Sequence, residues 1–344
     1  MFQAALAELS AVPTITTTAG KRFSAHPGQA MLDSALRAGV LLEHSCRTGR
    51  CGSCKAQLLT GDSCVLYDET GLSQTERESG WILSCVRSAS SDAFIEVQDL
   101  GSMPLFPART WPCRIKALQR LTAKVLKVVL RPPPGTGLDY HPGQYIEVIG
   151  SGGLRRSYIV ANAPLTDKLI ELHVRQVDGG AISAYWFEQA QVNDLLRLHG
   201  PQGTFFLRDL TGADLVFLAT GTGIAPVKAM LEGLRALPIS DQPASTTVYW
   251  GGRTSEDIYW KPDVSELQID FVPVLSRADA DWGGARGYVQ EALLAGGLDT
   301  SKSLVYACGS DAMIRSARAQ LKVEGLLDKR VHSDAFVSAG PVEP

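Results

Sequence analysis

The chain has 344 residues, 45% of them apolar and a formal net charge of −3, so it can build two or three cored domains. That near-neutral balance leaves no basic excess to argue for nucleic acid or an anionic membrane, and no apolar run reaches the roughly 18 residues of a membrane-spanning helix. Seven cysteines, odd in number and scattered, argue against a disulfide framework and for a reducing cytoplasm.

Residues 1–12 lack a basic n-region and carry Glu8, which predicts a short helix or an extension rather than a signal peptide. Residues 14–18 and 22–24 flank Ala19-Gly20 as a hairpin, and 29–38 has helical spacing stopped by Gly39. The stretch CRTGRCGSC follows at 46–54. Its Cys46, Cys51 and Cys54 stand at C-x4-C-x2-C spacing, with Cys85 as a distant fourth, which is the plant-type [2Fe–2S] pattern. Zinc sites show two short pairs or a Cys–His pairing, so a triplet plus one distant cysteine fits an iron–sulfur cluster better than zinc or a disulfide. Gly49 and Gly52 suit a loop that must wrap a compact group closely. Cys64 and Cys113 read as small hydrophobes. A strand at 55–59, a polar turn or short helix at 72–78 with Ser73 as N-cap and Glu76 three residues on, a strand at 82–86 and a closing strand at 94–97 complete this part.

Residues 101–107 break the pattern as a linker. Short strands at 113–118, 123–131, 144–149, 156–161 and 170–177 predict a barrel, interrupted by a helix at 181–188 after Gly179-Gly180. Glycines before a helix start, here Ala181-Ile182-Ser183, are either an anion site or plain punctuation. From Asp214 the chain alternates strands (215–219, 247–250, 271–275, 304–307) with helices (227–237, 289–294, 311–321), which predicts a parallel α/β sheet. Gly221-Thr222-Gly223 ends its first strand and opens a helix, where such a sheet binds a dinucleotide, although the motif is not G-x-G-x-x-G. The expected domains are 12–101, a linker at 102–108, 109–209 and 210–344.

With these motifs the chain after about residue 12 resembles the ferredoxin–NADP+ reductase superfamily with a ferredoxin domain fused at its N-terminus. Glu43-His44-Ser45-Cys46, Trp282-Gly283-Gly284, Tyr306-Ala307-Cys308-Gly309-Ser310 and Ser333-Asp334-Ala335-Phe336 look like the CDP-6-deoxy-Δ3,4-glucoseen reductase type. The reductases of ring-hydroxylating dioxygenases share most of them. The resemblance implies an α+β and α/β multidomain chain: an N-terminal β-grasp ferredoxin, a central antiparallel β-barrel for flavin and a C-terminal parallel nucleotide-binding domain.

The resemblance also implies site roles. Arg156, in Arg156-Ser157-Tyr158-Ile159, would pair with a flavin phosphate and Tyr158 would pack on the isoalloxazine. His173-Val174-Arg175 would lie beside the flavin, and residues 179–183 would hold its pyrophosphate, favouring FAD over FMN. Gly200-Pro201-Gln202-Gly203 would close the barrel. Arg253 would meet the adenosine ribose or a 2′-phosphate and Tyr259 the adenine, with NADH favoured and NADPH open. Cys308, with Gly309, would lie near the reacting nicotinamide carbon; Asp334 and Phe336 match the family's C-terminal acid and aromatic, Phe336 covering the flavin until nicotinamide arrives. One position departs: Ile159 stands where the family has Ser or Thr near flavin N5, and Ser157 shares its strand parity a full repeat away.

The implied path runs from NAD(P)H to FAD, then to the cluster, then to a protein acceptor, with flavin bridging two-electron and one-electron steps. The acceptor would be a deoxysugar dehydratase, or alternatively a Rieske or di-iron oxygenase. A non-enzymatic carrier or sensor with an impaired hydride site is the reading from another class that Ile159 favours. Arg47 and Arg50 are either contacts for an acidic partner or solvated loop charges.

Overall fold

The computed structural model describes residues 12–98, 100, 103–135, 138–164, 166–262 and 268–336. The N-terminal stretch 1–11 and Gly101 and Ser102 of the expected linker lie outside them. The chain divides into two compact units, meeting in sequence at Met103 and Pro104.

The first unit contains β1 (Thr14–Thr17), β2 (Arg22–Ser24), α1 (Met31–Arg37), β3 (Lys55–Thr60), β4 (Ser63–Val65), α2 (Gln74–Glu78), β5 (Trp81–Leu83), β6 (Arg87–Ala89) and β7 (Ala93–Glu96). Its five-stranded sheet has the order β2-β1-β7-β3-β5, with β1 and β7 parallel and the other pairs antiparallel; β4 and β6 form a separate ribbon. Ile15 and Thr17 alternate inward from β1, and α1 lays Met31, Leu32 and Ala35 over the same sheet. Each fully buried aliphatic side chain here contributes about 1.5–3 kcal/mol. The expected capping box holds: Ser73 Oγ accepts from the Glu76 amide at 3.2 Å and Glu76 Oε2 from the Ser73 amide at 2.8 Å. The strand expected at 82–86 ends at Leu83, so Cys85 sits in the turn after it.

The second unit opens with β8 (Arg109–Thr122), β9 (Val125–Arg131), β10 (Tyr145–Ile149), β11 (Arg155–Ile159), β12 (Ile170–Arg175), α3 (Ala181–Ala184) and β13 (Leu195–Gln202). They form an antiparallel sheet ordered β11-β10-β13-β8-β9-β12. Its two edges meet through a bridge between Val160 and Leu172, and the Ala161 amide donates to the Glu171 carbonyl at 2.8 Å, closing the barrel. Register shifts in β8 let that long strand bend around the core. The helix expected at 181–188 is one α turn that widens into a π turn at Tyr185–Gln189.

The chain then builds a parallel sheet from β14 (Asp214–Thr220), α4 (Ile224–Leu234), β15 (Ser245–Gly252), β16 (Ile269–Leu275), β17 (Ala285–Arg286), α5 (Val289–Gly296), β18 (Ser303–Ser310), α6 (Asp311–Val323) and β19 (Val331–Phe336). The order is β17-β16-β15-β14-β18-β19. Five consecutive buried residues make β14 the central strand. The chain steps outward from it through β17, then returns to lay β18 and β19 on its other side. The switch point therefore falls between the ends of β14 and β18. The strands β13 and β19 were not separable from loop in the sequence.

Candidate functional site

In the first unit the four predicted cysteines cluster as two pairs. Cys54 and Cys85 are buried with their sulfurs 3.1 Å apart. The Cys46 sulfur accepts from the amides of Thr48 and Cys51, both at 3.4 Å. The Cys51 thiol, with those amides, holds Cys46 well below the usual thiol range against the opposing effect of burial. Gly49 and Gly52 take φ of +72° and +75°, and a β-carbon on Gly49 would lie 2.2 Å from the Asp68 carbonyl oxygen, so the loop admits only glycine there. No three described His, Cys, Asp or Glu side chains converge as ligands of one ion. Four thiols gathered as two pairs are the donor set of a binuclear iron–sulfur cluster. Arg47, itself at φ +56°, pairs with Asp33.

The strand expected to hold the flavin is β11. Arg156 and Tyr158 share one face of it, both partly buried. Tyr158 Oη accepts from Trp186 Nε1 at 3.0 Å, and burial pushes its phenol up to about 12. Ser157 is exposed, whereas Ile159 on the same parity is covered, at 8% exposure, by the core of the parallel sheet. Gly179 takes φ +73° and Gly180 is the N-cap of α3. Ile182 and Ser183 are buried and Ala181 is exposed. The Val177 amide donates to Ser183 Oγ at 2.8 Å, which fixes that hydroxyl while leaving its proton to donate. Helix-start amides and a fixed hydroxyl at 179–183, and a guanidinium at Arg156, are donors of the kind a pyrophosphate takes.

The nucleotide loop lies at the switch point. Gly221–Gly223 forms one tight turn between β14 and α4, with Thr222 buried. A β-carbon on Gly223 would lie 2.1 Å from the Cys308 carbonyl oxygen, and one on Gly309 would lie 2.1 Å from Thr220 Oγ1. The two strand ends thus approach almost backbone to backbone, at the switch point where such a sheet binds a dinucleotide. Trp250 Nε1 donates to the Gly221 carbonyl at 3.0 Å. Cys308 is fully buried and pairs in register with Asp334; burial, then the Asp334 charge, keeps its thiol protonated. Phe336 ends β19 opposite Ser310 and is 41% exposed.

Arg253 is exposed, its amide held by Asp257 Oδ2 at 2.8 Å and its carbonyl accepting from the Arg277 amide at 2.8 Å. The Tyr259 ring packs edge-on against both Trp250 and His173, facing inward. Tyr288, by contrast, is 60% exposed, and its neighbour Val289 lies 3.0 Å from the β-carbon position of Gly251. Sequence reasoning missed Tyr288 and Arg277, though both follow strands of the parallel sheet at the end where a dinucleotide binds.

The barrel and the sheet meet at this crevice. Arg175 Nη1 lies 2.9 Å from the β-carbon position of Gly221. His173 Nε2 lies 2.9 Å from Glu171 Oε1 and its Nδ1 lies 3.2 Å from the Tyr259 hydroxyl. A carboxylate only accepts, so Nε2 donates, and in the neutral ring Nδ1 accepts from Tyr259. Val174 points into the barrel core and offers only backbone. Ile159 and Cys308 belong to one buried cluster.

Comparison with known proteins gives three matched family models: a 2Fe-2S iron-sulfur cluster binding domain over residues 16–90, an oxidoreductase FAD-binding domain over 112–207 and an oxidoreductase NAD-binding domain over 217–319. The CDP-6-deoxy-L-threo-D-glycero-4-hexulose-3-dehydrase reductase of Yersinia pestis is 39% identical over 92% of this chain and 95% of its own length. The xylene/toluene monooxygenase electron transfer component XylA of Pseudomonas putida is 30% identical over 94% and 93%. Among solved structures, the cytochrome P450 reductase GcoB of Amycolatopsis superposes with a TM-score of 0.71 at 28% identity, over 94% of this chain and 98% of that one.

Proposed function

Since the chain belongs to the ferredoxin-fused branch of the ferredoxin–NADP+ reductase superfamily, we propose that the residues assembled above are its working parts and that its acceptor is a deoxysugar dehydratase. Its class is that of an NAD(P)H-dependent reductase with a [2Fe–2S] cluster, FAD and a nicotinamide site, passing electrons to a partner protein. Membership of that class answers the alternative of a non-enzymatic carrier.

In this reading Cys46, Cys51, Cys54 and Cys85 hold the cluster. Arg156 and the 179–183 turn hold the flavin pyrophosphate, and Tyr158, with His173 and Arg175, borders the flavin ring. Gly221, Thr222, Gly223 and Gly309 line the dinucleotide crevice, and Cys308, Asp334 and Phe336 border the nicotinamide. Flavin supplies the conversion of a hydride into single electrons. The protein supplies stacking, phosphate binding and a dry junction. The observation that carries the reading is Arg175 of the barrel lying against Gly221 of the nucleotide loop, which brings the two predicted cofactor sites to one crevice. Tyr288 is better exposed than Tyr259 to meet an adenine, and Arg253 and Arg277 flank the ribose end. Neither cation is held in an ion pair among the described residues, so a 2′-phosphate would find partners there, and NADH and NADPH are both donors to be compared.

The dehydratase is favoured over an oxygenase because the dehydrase reductase shares 39% identity and the monooxygenase component 30%. On the cluster unit, Cys85 borders a cleft of about 510 Å³ lined also by Arg37, Arg47 and the largely exposed Tyr67, a face suited to a partner. The described residues contain no helix long and apolar enough to cross a membrane, and with none of the seven cysteines in a disulfide we place the protein in the cytoplasm. Anaerobic titration of the loaded protein with NADH and with NADPH tests the path: flavin and cluster absorbance should both bleach, and a silent cluster would refute it. Coupled turnover with a deoxysugar dehydratase, set against an oxygenase component, tests the acceptor.

A further inference from the structure

Resting on the reading of this crevice as the hydride-transfer junction, we propose that Lys228 is a positioning residue for that step, clamping helix α4 to the barrel so that the nucleotide loop meets the flavin strand in one fixed orientation. By sequence Lys228 and Glu232 are an ordinary i,i+4 pair, of a kind that contributes little on an exposed helix. The structure gives them another environment. The Lys228 side chain is 14% exposed, and its ammonium reaches three oxygens: Glu232 Oε1 at 2.7 Å, the Ala161 carbonyl at 3.1 Å and Glu171 Oε1 at 3.3 Å. Ala161 and Glu171 belong to the barrel. Glu232 in turn accepts from the Ala163 amide at 2.9 Å, so the helix grips the segment after β11 twice.

The clamp closes a circuit. Glu171 Oε1 also takes the His173 bond, His173 meets Tyr259, Tyr259 packs on Trp250, and Trp250 Nε1 holds the Gly221 carbonyl. Gly221 opens the loop that leads into α4, and Lys228 sits about one turn into that helix. A rotation of α4 against β12 therefore moves the nucleotide loop relative to Ile159 and Arg156. Lys228 itself touches neither predicted cofactor position. Removing its charge would leave Glu171 and Glu232 facing each other without a cation, and the two elements would part.

The test compares wild type, Lys228→Met and Lys228→Arg, each loaded with FAD and cluster. Anaerobic stopped-flow reduction by NADH, steady-state kcat and KM, and hydrogen exchange at the Ala163 amide are read together. In Lys228→Met the rate of flavin reduction should fall about 10–100-fold, the cost of a misplacement near 1 Å. The KM for NADH should change far less, FAD content and cluster absorbance should stay at wild type, and Ala163 exchange should speed up. Lys228→Arg should recover most of the rate. Wild-type reduction rate and unchanged Ala163 exchange in Lys228→Met would overturn the proposal. So would a rate loss explained by lost FAD. If Lys228→Met does not fold, Glu232→Gln, which keeps an acceptor for Ala163 but removes one charge, should show the same split. A wild-type flavin that NADH and NADPH both leave oxidised would instead refute the functional reading, and Ala163 exchange would still report on the clamp.

Discussion

Tyr145 and Ile159 face each other across β10 and β11, and both side chains leave the barrel to join the buried core of the parallel sheet. The family's hydroxyl position is therefore an aliphatic contact here. Replacing Ile159 with Ser is expected to raise the rate of flavin reduction by NADH in stopped flow, since a hydroxyl can hydrogen-bond near the reacting position. It is also expected to cost about 2–5 kcal/mol, on the scale of a buried Ile→Ala truncation. An unchanged rate would mean that Ile159 is a neutral replacement.

The order of electron carriers is checked by Cys85→Ser. Cys85 is buried beside Cys54 and is one of the four proposed cluster ligands. The variant should lose the cluster's visible absorbance and reduce cytochrome c only at the background of flavin alone, while NADH still bleaches the flavin and ferricyanide is still reduced. Loss of flavin reduction as well would place the cluster before the flavin.

A third expectation concerns Glu69 and Arg87, which hold the cluster loop from outside. Glu69, almost fully buried, takes two bonds from Arg87 and the Leu83 amide at 2.8 Å, two residues before Cys85. Its neighbour Asp68 meets Gly49. Glu69→Ala leaves a guanidinium and an amide without their acceptor, and should cost about 3–5 kcal/mol in thermal unfolding, with faster cluster loss. Replacing both partners by apolar residues should recover much of it.

What was legible in the sequence divides along a physical line. The cysteine triplet, the capping box at Ser73 and Glu76 and the Gly221–Gly223 turn are local, with every part within a few residues, so spacing alone exposes them. Glu69 with Arg87, and Glu171 with Lys228, are made by the fold. Each reads locally as an ordinary surface charge, and only strand order brings the partners together. Tyr259 shows the same limit. Its place after β15 suggests an exposed ring for adenine, but His173 and Trp250 turn it inward, whereas Tyr288 stays exposed.

Acid stability follows from Glu171. Burial pushes its carboxyl up, but the bond from His173 and the charge of Lys228 outweigh this and hold it below the usual range. A depressed carboxylate contributes stability that is complete above the unfolded value, about 4.3, and is lost as pH falls through the folded value. The stability deficit of Lys228→Met against wild type, read by denaturant unfolding at a series of pH values, should therefore be full above about pH 4.3 and shrink as pH falls through the folded value. A deficit that stays the same across that range would show that the Lys228 charge does not hold Glu171 ionised.

Gly223 tests the crevice most directly. An alanine there would place its β-carbon 2.1 Å from the Cys308 carbonyl oxygen, and that oxygen belongs to the backbone of a central strand, which cannot swing aside. The nucleotide loop must lift instead, at about 1–3 kcal/mol of overpacking. Lifting it moves the α4 amides and Thr222 away from the crevice, so NADH should bind more weakly, raising KM, while FAD content and the cluster spectrum stay as in wild type. A Gly223→Ala variant with unaltered KM would mean that the dinucleotide does not lie against this loop.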